Sequence, residues 1–154
     1  KEHIPMSREY PDRPVAGVGA VIVEKGRILL VRRGTSPRAG HWSLPGGAQE
    51  LGETFAEACV REVREETGLA VEVLGLVDVV DSITRDDTGR VRFHYLLADV
   101  LARPCGGALQ AGSDVADARW FTPEEAFALP LWSETARVIR KGFELAAAVT
   151  ASGH

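Results

Sequence analysis

The stretch 54–68 constrains the fold more than any other part of the chain, because it carries its own start and stop signals. Thr54 with Glu57 three residues later forms a capping box, and Gly68 supplies the left-handed residue on which helices commonly end. A helix over 55–67 is therefore predicted. Its flanks read differently. Residues 34–47 hold Gly34, Pro37, Gly40, Pro45, Gly46 and Gly47, a density of backbone breakers that predicts a loop with at most a short strand at 42–44. Runs 71–80 and 91–101 are rich in β-branched and apolar residues, and the polar stretch 84–90 between them predicts a hairpin.

Strands are also predicted over 15–23 and 28–31, joined by a tight turn at Glu24-Lys25-Gly26-Arg27. A Gly-containing loop over 104–114 leads to a short strand at 118–121. Thr122 as N-cap and Pro123 in the first turn then open a brief helix, and Ser133 is expected to cap a last helix reaching about Ala148. Strands flanked by helices early and late predict an α/β layered domain. With 154 residues, there is room for one such domain: an N-terminal extension over 1–13, a domain over 14–148 and a tail over 149–154.

Eighteen Lys plus Arg against 22 Asp plus Glu give a net charge of −4. That sign excludes a nucleic-acid polymer gripped through a broad basic face, yet leaves room for a small anionic ligand. Cys59 and Cys105 form no C-x-x-C, which excludes a thiolate metal site and points to a reducing compartment. No apolar run approaches the roughly 18 to 20 residues that span a bilayer, and residues 1–10 are polar. The expectation is a soluble cytoplasmic protein that does not enter membranes.

At about 100° per residue, Glu62, Glu65 and Glu66 share one face of the predicted helix. Ala56, Val60, Val63 and Thr67 form the stripe expected to pack on the sheet, and Glu57, Arg61 and Arg64 take the remaining side. One reading is an ordinary solvated helix laced with Glu57–Arg61 and Arg61–Glu65 pairs. The other is a cation site, because clustered like charges need neutralising and oxygen-only ligands suit Mg²⁺ or Mn²⁺.

The full spacing decides between them. Gly47, Glu53, Arg61, Glu62, Val63, Glu65, Glu66, Gly68 and Leu69 fit G-x5-E-x7-R-E-U-x-E-E-x-G-U, with U apolar. This is the Nudix box, and the chain resembles the Nudix hydrolase family. The lead-in Gly40-His41-Trp42-Ser43-Leu44-Pro45-Gly46 and the late Arg119-Trp120-Phe121-Thr122-Pro123-Glu124-Glu125 extend the likeness to roughly 14–140. The resemblance implies an α/β/α sandwich with a mixed β-sheet. It also implies Mg²⁺-dependent hydrolysis, with Mn²⁺ a substitute, of a nucleoside diphosphate linked to another group.

Carried over by the same resemblance, Glu62, Glu65 and Glu66 would be metal ligands, with Glu65 also catalytic. Glu53 would act as outer ligand, general base or partner of Arg61, and Arg61 would orient the acidic side chains. The backbone at Gly46 and Gly47 would approach metal or phosphate, a turn with unusual dihedrals being equally compatible. Asp114 stands where many members place an acidic loop residue, with Asp117 the weaker candidate. Arg32, Arg33 and Arg38 are placed to attract an anionic substrate, at least one of them being expected as a solvated charge. His41, His94, Trp42, Trp120 and Cys59 are expected chiefly as packing residues.

The substrate is expected to be a small anionic nucleotide, first a nucleotide sugar such as ADP-ribose and second a nucleoside triphosphate. A sensing domain that binds without cleaving is the third reading, disfavoured because every ligand position is filled. A homodimer is an admissible assembly.

Overall fold

A computed structural model describes residues 8–34, 40–112 and 114–151. The chain runs β1 (Val15–Glu24), β2 (Arg27–Arg33), β3 (Trp42–Ser43), β4 (Gly46–Ala48), α1 (Phe55–Thr67), β5 (Leu69–Arg85), β6 (Val91–Gly107), β7 (Val115–Phe121), α2 (Pro123–Phe127) and α3 (Ser133–Ala151). The sheet order is β3-β2-β1-β6-β5, with β4 also on β1 and β7 also on β2. The β1–β6 pair is parallel and the others antiparallel, so the sheet is mixed.

Strand β1 is the spine, and its side-chain alternation sorts the two layers. Val18, Ala20 and Ile22 face Ala58, Cys59 and Val63 of α1. Val21, with Ile28 and Leu30 of β2, faces Val138 and Ile139 of α3. Helices thus cover both faces of a mixed sheet, the α/β/α sandwich that the family resemblance implies. Full burial of one such valine contributes about 1.5 to 3 kcal/mol. Among the described residues no helix is long and apolar enough to cross a membrane.

Helix α1 starts and stops where predicted. Thr54 accepts from the Glu57 N–H while Glu57 accepts from the Thr54 N–H, and Gly68 ends the helix at φ 76°. Its buried face is not the predicted one. Ala58, Cys59, Val63, Glu66 and Thr67 are buried, whereas Ala56 and Val60 are exposed. The helix is rolled by roughly 60° toward its acidic side. The cause lies in the bonds that hold Glu66, described below, which draw that carboxylate under the sheet edge.

Three other expectations shift. Residues 46–48 form β4 rather than loop, because they pair with Gly17, Val18 and Gly19 of β1. Strand β6 continues through the predicted loop to Gly107, Pro104 sitting opposite Val71 at a register shift where its missing N–H costs least. Ser133 is the first helical residue of α3, and the Trp132 carbonyl takes the first bond, from Ala136.

Candidate active site

Glu66 is the most deeply held carboxylate of α1, 9% exposed. Its Oε1 accepts from the Gly46 N–H at 2.9 Å, and its Oε2 accepts from Arg33 Nη1 at 2.8 Å. Arg33 donates in addition to Ser43 Oγ at 3.1 Å and to the Leu44 carbonyl at 3.0 Å. The guanidinium thus fastens β2, the 43–46 segment and α1 around one charge. Gly46 is required here: at φ 154° a Cβ would strike the Val18 carbonyl.

One turn earlier, Glu62 lies against Gly47, where a Cβ would come within 2.6 Å of its carboxyl carbon. Burial first, and the nearby Glu66 second, push the Glu62 carboxyl up to about 7. Arg61 Nη1 stands 3.6 Å away. That arginine's main engagement is with Glu53, through Nε to Oε2 at 2.6 Å and Nη2 to Oε1 at 2.9 Å. Arg61 also donates to the Ala48 carbonyl at 3.0 Å and to Glu65 at 3.3 Å. The paired guanidinium, helped by the Glu50 N–H, holds Glu53 below the ordinary carboxylate range. Glu65 is the open member, its side chain 58% exposed.

Glu66 is thus held by Arg33, while Glu62 and Glu65 share Arg61, and among the described residues no three His, Cys, Asp or Glu side chains converge into a ready-made ligand shell. The donors are nonetheless all hard oxygens on one helix face, beside a glycine whose missing Cβ leaves room for the Glu62 carboxylate. That set fits a hard divalent cation which completes its shell with water and phosphate.

Part of this cluster lines one end of a cleft of about 630 Å³. Gly46, Gly47, Glu62, Glu66, Arg33 and Asp114 belong to it, whereas Glu53, Arg61 and Glu65 stand behind its lining. Arg32, the strand neighbour of Arg33, points to the opposite face, lies against the Trp42 ring at 5.8 Å and does not line the cleft. Arg38 falls outside the described residues. Asp117 pairs with Arg119 at 2.7 Å, away from the cleft. Trp42 meets Phe121 edge-on at 5.0 Å, and Trp120 packs on the α1-side core. Cys59 is buried, which pushes its thiol up to about 11.

The far end of the cleft lies on the α3 side and holds a residue that the sequence reading passed over. Asp99 of β6 is 5% exposed beside Gly19, with Leu97, Tyr95 and Trp132 also lining this end. A charge inside the apolar run Leu96-Leu97-Ala98-Asp99-Val100-Leu101 was the available signal. A larger groove of about 820 Å³, lined by Leu74, Phe127 and Phe143 among others, is remote from all these carboxylates.

Comparison with known proteins identifies the family. The NUDIX domain model matches residues 12–142. An ADP-ribose pyrophosphatase of Methanocaldococcus jannaschii is 42% identical over 108 residues, covering 70% of this chain and 62% of that protein, so the match spans less than two thirds of that relative. A CTP pyrophosphohydrolase of Escherichia coli is 38% identical over 115 residues, covering 74% of this chain and 80% of the relative. The crystal structure of a MutT NUDIX hydrolase from Burkholderia pseudomallei superposes with a TM-score of 0.74 at 33% identity, covering 84% of this chain and 98% of that one. With the box complete in sequence and assembled at a cleft between sheet and α1, the chain belongs to the Nudix hydrolase family.

Proposed function

We propose that this chain is a Mg²⁺-dependent pyrophosphohydrolase that cleaves the phosphoanhydride of a nucleoside diphosphate derivative, with ADP-ribose as first candidate. The observation that carries the reading is the placement of Glu62 and Glu66, with Glu65 on the same helix face, at one end of a cleft whose other end offers the apolar and aromatic surface of Leu97, Tyr95 and Trp132 to a nucleoside. A crowded acidic end for a metal-bound phosphate and a flatter end for a ring match the two halves of such a substrate.

Glu62, Glu65 and Glu66 would hold the divalent cation, which when bound neutralises phosphate oxygens and acidifies a water. The chain's own residues do the rest. Arg33 fixes the Glu66 carboxylate, and the Gly46–Gly47 backbone lets the anhydride approach without a side chain in the way. Glu65, the open carboxylate, and Asp114, on the loop before β7, are the two groups able to take the proton from attacking water. Water bonds to phosphorus, the bridging P–O bond breaks, and its electron pair leaves with the departing phosphate. Arg61 acts through Glu53 and Glu65 as a positioning residue.

A nucleoside triphosphate is the second reading, favoured by the similarity to the CTP pyrophosphohydrolase, which the match covers over most of its length. Incubation of the chain with ADP-ribose, the four nucleoside triphosphates and a phosphomonoester, in Mg²⁺ and in excess chelator, tests both. Metal-dependent release of a nucleoside monophosphate, with the phosphomonoester left intact, is expected. Equal turnover in chelator overturns the metal assignment.

A further inference from the structure

Asp99 is out of place in a sandwich core. It occupies a mid-strand position of β6, between Ala98 and Val100, and is 5% exposed. Among the described residues its carboxylate has neither a hydrogen bond nor an ion pair. Asp78, its register partner on β5, adds a like charge. Arg137 of α3 draws on it from a distance, but that guanidinium is already held by Asp78 at 2.6 Å and Glu134 at 3.0 Å. Lys141 is likewise turned to Asp78, at 3.6 Å. A buried carboxylate without a donor is costly in a folded protein, so a residue kept in this condition points to a donor that arrives from outside.

The surroundings are built to keep it available. Gly19 lies beside it on β1, and a Cβ there would collide with Asp99 Oδ1 and lie 3.5 Å from Leu44. Any other residue at position 19 would cover the carboxylate. The route from it to the glutamates crosses β1 to β4, two strand spacings or about 10 Å. That is the reach from a nucleotide's phosphate to the far edge of its base. Leu97 and Tyr95 on the same strand, and Trp132 just before α3, also line the cleft and supply flanks for a flat ring.

We propose that Asp99 reads the base of the substrate by accepting a hydrogen bond from an exocyclic amino group, so that the cleft selects adenine and cytosine over hypoxanthine and uracil. Adenine N6 and cytosine N4 donate, whereas the keto bases place a carbonyl oxygen at the same position and set it against the carboxylate. The discrimination is of the strong kind, since the wrong base leaves a buried charged acceptor unpaired. Burial pushes the Asp99 carboxyl up to about 6, so at neutral pH it is ionised and can only accept. The inference rests on the nucleotide reading of this cleft.

Calorimetric titration of the full chain in Mg²⁺ with AMP, IMP, CMP and UMP tests it apart from turnover. The expected result is AMP over IMP, and CMP over UMP, by about tenfold or more. Asp99→Ala should bring both ratios to within about twofold, chiefly by weakening AMP and CMP. Asp99→Asn keeps the shape and adds an N–H donor, so it should level or invert the ratios; it also guards against an alanine variant that folds poorly. Ratios near unity in the parent chain, ratios that survive in both variants, or no binding of any monophosphate each overturn the proposal. Failure of the catalytic reading looks different: the binding ratios hold while no phosphoanhydride is cleaved. Hydrolysis with no base ratio is the reverse case, which removes Asp99 and leaves the catalysis standing.

Discussion

The two ends of the cleft are made of the same residue type under opposite rules. At the α1 end, carboxylates are crowded and each is tied to a guanidinium or a backbone N–H. Glu66 is bound by Arg33 and Gly46, and Glu53 by Arg61 and Glu50. At the α3 end, Asp99 has neither a hydrogen bond nor an ion pair among the described residues. Crowding serves a cation, which repays repulsion when it binds, whereas isolation serves discrimination, since a lone acceptor responds to the presence or absence of one donor. On the proposed reading, the first end determines what is done to a substrate and the second which substrate it is done to.

The sharpest way to break this division is at Glu65. Its side chain is largely exposed and among the described residues pairs with Arg61 alone, at 3.3 Å, so Glu65→Gln should leave metal-free stability within about 0.5 kcal/mol of the parent, or above it. Turnover should nevertheless fall about a thousandfold while the AMP to IMP ratio is unchanged. Melts in chelator run beside a turnover assay check both. A variant that melts far lower yet still turns over would return α1 to the status of an ordinary salt-bridged helix.

Gly47→Ala comes next, because the added Cβ occupies the place of the Glu62 carboxylate. A loss of about 1 to 3 kcal/mol in chemical denaturation is expected, together with weaker Mg²⁺ activation. Binding of AMP in the absence of metal should persist. If Asp99 discrimination vanished as well, the two ends would not be separable.

The adjacent arginines of β2 give a smaller, paired contrast. Arg33→Ala frees Glu66 and should lower kcat/KM by roughly ten- to a hundredfold, whereas Arg32→Ala, on the other face against Trp42, should change it less than about threefold. Steady-state kinetics on both variants decides whether position on the strand or mere positive charge governs the effect.

The smallest effect is a pH slope. Glu62 titrates up to about 7 in the folded chain, against an ordinary value of 4.5, so between those limits the native state holds a proton that the unfolded state has released. Metal-free stability is therefore greatest below the ordinary value and falls as pH rises through about 7. Asp99, raised to about 6, adds in the same direction. In chelator, the melting temperature should drop by a few degrees between pH 5 and 8. Mg²⁺ should flatten the slope, and Glu62→Gln should leave only the part due to Asp99.

The reaction end was legible in the sequence because it is written within one continuous stretch: a capped helix fixes the angular relation of Glu62, Glu65 and Glu66, and Gly46 and Gly47 stand next to it. The discriminating end was not, since Gly19, Asp99 and Trp132 come from three distant segments and no local period relates them. Even at the reaction end the reading of α1 missed its roll, because hydrophobicity alone marks Ala56 and Val60 for burial. Two hydrogen bonds to Glu66, from residues outside the helix, override it. Arg33 shows the same limit, since nothing local in a string of arginines tells that three of its donors go to Glu66, Ser43 and Leu44.

The parallel pairing of β1 with β6 bears on how the protein comes into being. Val15 meets Tyr95 and Gly19 meets Asp99, each pair eighty residues apart along the chain. Helix α1 and the β5–β6 hairpin can form from local contacts, but this seam closes a long loop, the slow kind of step in folding. Both ends of the cleft straddle it, β4 being hung on one edge of β1 and Asp99 on the other. In a refolding experiment helical signal should therefore return first, with base discrimination and turnover arriving together at the end, so that a partly folded chain can neither select a nucleotide nor cleave one.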